Sequence, residues 1–177
     1  RSQAARAVAA SDSAKALETA RLGCNRLLEH NAVECALPLC LDYVKILSDF
    51  AVDSDGARVD EVLSLASSFG SASADGSEDS QQAANENEWT ILNAGIHWSS
   101  QVGDLTVAHP KLHRRAAELS AAKLDLAGIV RHYCVAELPT EGVDCILRGC
   151  GARKHRELRD AMLCRMVLIF LARENLR

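Results

Sequence analysis

The sequence predicts an all-α fold, an α-solenoid of antiparallel helical hairpins. Apolar residues make up 48% of the 177 residues but aromatic residues only 4%, so small aliphatic side chains and cysteines must fill the core. Apolar residues also recur at the helical period along most of the chain. The three prolines all stand where a helix can begin or end.

The first half of the chain shows helix signals in close succession. Residues 1–10 are rich in alanine and are typical of the end of a helix. Ser13 begins an apolar pattern of helical period, and Gly23 within it indicates close approach of a neighbouring helix. The next helix is predicted to start near Ala36, because Pro38 would otherwise lie two turns inside it.

The helix around Pro38 is apolar on two sides, which predicts that it packs between neighbours. Its two stripes are Leu37, Leu41, Val44, Leu47 and Leu39, Tyr43, Ile46, Phe50. A further helix is predicted after the turn at 53–56. Residues 70–82 are polar and lack periodicity, so we expect a flexible inserted loop there before helix returns near Ala84 and runs to Trp98.

The centre of the chain joins two helices across a short loop. Trp98, one of two tryptophans, ends the first helix, and Pro110 begins the second, since its fixed φ and missing N–H suit a first turn. We expect Trp98 to be buried as an anchor between these two helices. Leu112 belongs to the apolar face of the new helix. The structural motif of this joint consists of Trp98, His109, Pro110, Leu112 and His113.

His109 and His113 are four residues apart, a spacing that can place two metal ligands on one helix face. The motif has no glutamate to act as a base, and its third ligand would have to be His97 or His132. His109 also precedes Pro110 and so lies outside the helix. We therefore predict packing or capping roles, with no metal, no cofactor and no catalytic residue.

The second half predicts another hairpin, with a corner at 123–125 and a return helix that stops before Pro139. Ala116 and Gly128 are twelve apart, as are the small residues where paired helices cross in a tetratricopeptide repeat. Thr140 is predicted to cap a short helix. The last helix, from about 155 to 175, is apolar nearly all round, so we expect more apolar surface than one neighbour can bury.

Composition excludes several classes of protein. The net charge of −4 gives no general basic field for nucleic acid, and the basic cluster at 148–159 favours a solvated face or a protein contact. The seven cysteines lack a Cys-x-x-Cys pair, which favours reduced thiols in the core. The most apolar segment, 161–172, is about half of what a membrane span requires. We expect a cytosolic protein that does not insert into membranes.

The central motif resembles the signature of the Golgi-to-ER-traffic protein 4 family, which are cytosolic scaffolds of tail-anchored membrane protein targeting. The resemblance rests on Trp98-Ser99-Ser100 and on His109-Pro110 followed by Leu112-His113. Further matches are Arg131-His132-Tyr133, Arg165 to Leu168, Asn175 and, near the start, Arg1, Arg6, Ser11, Ala16 and Gly23. It spans nearly all 177 residues, with 70–82 as an insertion.

The resemblance implies a non-enzymatic scaffold that acts within a chaperone complex. In the family, the N-terminal half docks the ATPase that carries tail-anchored proteins, and the C-terminal half holds a ubiquitin-like co-chaperone or, in animals, a larger chaperone subunit. Arg6 is the matched N-terminal position expected at an interface. Pro38 stands where the family often has a carboxylate on the ATPase-facing side. The chain is expected to be one solenoid fragment, residues 1–177, incomplete at both ends.

Two other classes remain open at this point. One is a generic tetratricopeptide-like adaptor that holds a peptide in its concave groove, although the basic or Asn-rich clamp of such grooves is not evident. The other is a metalloenzyme that uses histidine and cysteine ligands.

Overall fold

A computed structural model describes residues 13–71, 77–102, 107–150 and 156–174. Within them the chain forms α-helices and no strand, which confirms the all-α fold class. The helices are α1 (Ser13–Glu29), α2 (Val33–Asp49), α3 (Gly56–Ser71), α4 (Glu78–Gln101), α5 (Pro110–Ala122), α6 (Leu126–Val135), α7 (Pro139–Cys150) and α8 (Arg156–Glu174). They belong to two compact units, Arg1–His109 and Pro110–Arg177.

The first unit is built from two stacked hairpins. Helix α1 pairs with α2 and α3 pairs with α4, while α1 also contacts α3 and α2 also contacts α4. Helix α2 thus packs on more than one neighbour, as its two apolar stripes predict. At Gly23 the α1 backbone comes so near to α2 that an added Cβ would lie 2.8 Å from the Leu39 side chain. The close helix approach predicted from Gly23 is therefore confirmed.

Helix α2 begins earlier than the sequence predicts. It starts at Val33 rather than near Ala36, and Pro38 lies inside it. The preceding turn sets this start: Asn31 adopts a positive φ of 53°, and the Ala32 carbonyl accepts the Ala36 N–H at 3.0 Å. Pro38 removes one intrahelical hydrogen bond near the helix start, and the burial of the α2 face against its neighbours offsets that loss.

Helix occupies both ends of the segment expected to be a loop at 70–82. Helix α3 continues to Ser71, and α4 begins at Glu78, six residues before the predicted Ala84. The Ser77 hydroxyl caps α4 by accepting the Ser80 N–H at 3.2 Å, and two acidic residues follow in the first turn. Both features favour a helix N-terminus. Residues 72–76 lie outside the described part of the chain.

The second unit contains the predicted hairpin. Helices α5 and α6 pack together, and the corner between them has Leu124 at a positive φ of 54°. The Asp125 carboxylate caps α6 by accepting the Gly128 N–H at 3.1 Å. The two helices come close at Gly128, where an added Cβ would lie 2.4 Å from the Ser120 hydroxyl.

The sequence predicted Thr140 as the cap of α7. The helix begins one residue earlier, at Pro139, so Thr140 is its second residue and the prediction is wrong. Pro139 suits the first helical position because the N–H that it lacks would have no partner there. Helix α8 packs against both α6 and α7. The core of this unit includes Ile129, Ile146 and Met166, each at most 2% exposed.

Candidate partner-binding surfaces

Trp98 is the anchor of the first unit. Its side chain is 1% exposed, and the indole N–H donates to the Val52 carbonyl oxygen at 2.9 Å. The burial predicted for Trp98 is therefore confirmed. Helix α4 continues past it to Gln101, and its hydrogen-bond partner follows α2 in sequence. Packing of Trp98 against the helix that starts at Pro110 stays a prediction.

The other residues of the predicted joint have separate roles. His109 lies before α5, and its backbone N–H donates to the Ser99 hydroxyl at 2.9 Å. Pro110 begins α5, as predicted from its backbone chemistry. Leu112 is fully buried, and His113 is 7% exposed. These residues thus lie at the start of α5 or in the core.

His113 meets a histidine that sequence spacing did not single out. Its Nδ1 lies 2.9 Å from Nδ1 of His132 on α6, and the His132 side chain is 6% exposed. The structure thus pairs His113 with His132 rather than with His109. In the described part of the chain, no three histidine, cysteine or acidic side chains are grouped so as to hold a metal ion. Two nitrogens in direct contact form a hydrogen bond, not a chelate.

The thiols are divided between the core and the surface. Cys24, Cys40, Cys134 and Cys150 are buried, as expected for small core residues, but Cys35 and Cys164 are exposed. Burial raises the pKa of the Cys134 thiol to about 11, so that thiol stays protonated and unreactive at neutral pH.

A polar cluster connects three helices of the first unit. The buried Tyr43 hydroxyl on α2 donates to the Glu61 carboxylate on α3, and Arg58 donates to the same carboxylate at 2.7 Å. Burial by itself raises the pKa of Glu61. The hydrogen bonds from Tyr43 and Arg58 and the nearby Arg21 of α1 outweigh it, and the pKa lies below its ordinary value.

The sequence pattern does not reveal this cluster, because it places Tyr43 in an apolar stripe. The only local signal was the Arg58–Glu61 spacing of three residues, which brings side chains together on a helix. Arg58, Glu61 and Arg21 are each about one-third exposed. They form a charged surface that a protein partner can reach.

The second candidate surface is an apolar stripe on α8 that faces away from the core. Val167, Leu168 and Leu171 are 56%, 65% and 52% exposed, and Cys164 is also exposed. The four residues have the i, i+3, i+4, i+7 spacing of one helix face. Met166, on the opposite face, is 2% exposed. The apolar exposure expected of this helix is present, although two helices rather than one cover its other side.

Arg6 and the basic cluster at 148–159 add little to the two candidate surfaces. Arg6 lies outside the described residues, as do two members of the basic cluster at 148–159. Within that cluster, Arg148 donates to the Cys145 sulfur at 3.5 Å, and Arg159 pairs with Asp160 at 2.9 Å. These contacts orient the arginines along their own helices.

Comparison with known protein families shows which family the chain belongs to. The family model for Golgi to ER traffic protein 4 matches residues 10–177. The chain belongs to this family. Membership implies involvement in Golgi-to-ER traffic and tail-anchored protein targeting. A search of curated proteins gave no match.

None of the helices described combines the length and the apolar character needed to cross a bilayer.

Proposed function

We propose that this chain is a non-enzymatic cytosolic scaffold for insertion of tail-anchored proteins into the ER membrane. It links the ATPase that carries those proteins to a ubiquitin-like co-chaperone. The observation that carries this proposal is the family match over residues 10–177. The architecture supports it, because stacked helical hairpins present extended surfaces for protein partners.

The two candidate surfaces suit two different partners. In the first unit, Arg21, Arg58 and Glu61 form a charged surface on neighbouring helices α1 and α3. In the second unit, the stripe on α8 is apolar. Charged surfaces favour fast, salt-dependent association, whereas apolar stripes at helical spacing favour docking of another helix. We assign the ATPase to the first surface and the co-chaperone to the second.

The first half of the test concerns the ATPase. Titration calorimetry of the full chain with the nucleotide-loaded ATPase should show binding, and Arg21→Glu should weaken it at least tenfold. The matched control is Lys45→Glu on α2, since both residues form exposed ion pairs along their own helices, with Glu18 and with Asp49. Equal loss with both variants would place the ATPase elsewhere.

The second half concerns the co-chaperone. Leu168→Glu should weaken binding of the ubiquitin-like partner and leave ATPase binding unchanged, while Arg21→Glu should do the reverse. If the unmodified chain binds neither partner, the scaffold function itself is refuted. If it binds both but neither variant matters, only the assignment of surfaces is refuted.

A further inference from the structure

The His113–His132 pair joins the two helices of the second unit's hairpin. Nδ1 of His113 on α5 lies 2.9 Å from Nδ1 of His132 on α6, and the ring centroids are 5.1 Å apart. A contact of this length between two imidazole nitrogens requires one N–H that donates and one bare nitrogen that accepts. The pair therefore holds one proton between the two facing nitrogens.

This arrangement tolerates few protonation states. With both rings neutral, one donates to the other, and a first added proton can go to the far nitrogen of the donor ring without breaking that bond. With both rings protonated, two N–H groups face each other without an acceptor between them, and two positive charges share a buried site. Such a state loses the hydrogen bond and adds repulsion between like charges at short range.

The charged groups around the pair come from two helices. Arg173 of α8 acts on His113, and Arg131 and Asp125 act on His132 from α6 and its cap. Both arginines oppose a further positive charge, and Asp125 favours one. No charged side chain of α5 or α7, within the part of the chain described, is among the groups that shift either histidine.

Burial is the largest cause that lowers the pKa of His113, followed by His132 and Arg173, and it is also the largest cause for His132. Both pKa values fall from an ordinary 6.5 to about 4. The closed hairpin thus binds fewer protons than the opened one at any pH between these values. The stability that the neutral pair adds to the hairpin is fully present above pH 6.5 and decreases as the pH falls toward 4.

We propose that His113 and His132 form a proton-operated latch on the α5–α6 hairpin, closed when the two imidazoles are neutral and released when the opened hairpin takes up two protons. At neutral pH the latch fixes one helix against the other. In acid the same two side chains favour opening, and the second unit loosens before the carboxylates titrate.

Amide hydrogen exchange of the full chain tests the latch. As the pH falls from about 6 to about 5, the equilibrium constant for opening α5 and α6 should rise about fiftyfold, because each of two histidines contributes about sevenfold. A constant that does not change with pH over this range would overturn the proposal.

Variants test whether His113 and His132 bind the protons that are taken up when the hairpin opens. His113→Asn places an amide near the position of Nδ1 and removes one titrating group, so the rise over the same fall in pH should drop to about sevenfold. His132→Asn should behave alike, and His97→Asn, an exposed histidine of the first unit, should leave the rise unchanged. An unchanged rise in both latch variants would show that other groups bind the protons. If neither variant folds, NMR titration of the two imidazoles in the unmodified chain decides, and ordinary pKa values there would overturn the latch.

Discussion

The indole of Trp98 donates its N–H to the carbonyl oxygen of Val52 over 2.9 Å. Val52 lies in the turn after α2, where Ala51 adopts a positive φ of 45°. The bond satisfies a carbonyl that the sharp turn leaves without a helical partner, and it ties the end of α4 to the end of α2. One side chain thus connects the two hairpins of the first unit.

We expect Trp98→Ala to lower the free energy of unfolding by about 3–5 kcal/mol, because it removes a large side chain from a fully buried site. Trp98→Phe should cost less, about 1–3 kcal/mol, mainly because the Val52 carbonyl loses its donor. Urea unfolding followed by circular dichroism measures both. Trp89→Phe, at a half-buried position on the same helix, is the control. Equal midpoints for the parent and Trp98→Ala would contradict the anchor role.

A second prediction concerns the close approach inside the α5–α6 hairpin. A Cβ on Gly128 would lie 2.4 Å from the Ser120 hydroxyl and 2.5 Å from the Asp125 carboxylate that caps α6. We expect Gly128→Ala to lower the thermal midpoint despite the roughly 1 kcal/mol that alanine contributes in a helix.

Gly149→Ala is its matched control, because Gly149 is also helical and its nearest neighbours would be 3.4 Å away at Leu124 and 3.6 Å away at Leu126. That substitution should leave the midpoint equal or higher. A gain of stability in both variants would mean that the hairpin is more open at Gly128 than the structure shows.

Helix starts and turns that depend on single residues could be predicted from the sequence. The start of α5 at Pro110 and the corner before Asp125 both follow from residues whose preferences act within one turn of the chain. Helix α2 was placed wrongly because the same kind of rule was applied to Pro38, where packing on both faces outweighs one lost hydrogen bond.

Contacts between distant residues could not be predicted in this way. Glutamate side chains are seldom fully buried, yet Glu88 on α4 is 1% exposed and lies over Gly70 of the neighbouring helix. His113 was weighed against His109, its neighbour in sequence, whereas its partner His132 lies nineteen positions away. Periodicity indicates which face of a helix is buried, but it does not show which polar group meets it there.

A third prediction concerns the Tyr43–Glu61 hydrogen bond. Tyr43→Phe removes a buried hydroxyl that donates to a carboxylate, and hydrogen bonds to charged groups contribute about 1.5–3 kcal/mol. We expect lower stability at neutral pH and a pKa of Glu61 that moves upward, since one of the groups that lower it is gone. Carboxyl NMR titration measures the second effect.

The pH dependence has a definite sign. A carboxyl with a lowered pKa adds stability above its unfolded value of 4.5 and loses it as the pH falls through the folded value. The acid loss should therefore be smaller in Tyr43→Phe than in the parent. Tyr133→Phe is the control, because the Tyr133 hydroxyl meets the Cys145 sulfur rather than a carboxylate. It should leave the pKa of Glu61 unchanged. An unaltered Glu61 pKa in Tyr43→Phe would refute the coupling.

The last prediction concerns the apolar stripe of α8. Val167, Leu168 and Leu171 are each more than half exposed, and apolar residues grouped on one helix face are typical of interaction sites. The isolated chain should bind a hydrophobic dye or self-associate, because water contact with this stripe is unfavourable. Leu168→Gln with Leu171→Gln should reduce both effects and leave the fold intact. Leu147→Gln on α7, a leucine that is 44% exposed and lies outside the stripe, should change neither. Dye fluorescence and sedimentation at tens of micromolar are the measurements. A parent chain that is monomeric and does not bind dye would show that this face is covered in solution, and the second partner surface would have to be sought elsewhere.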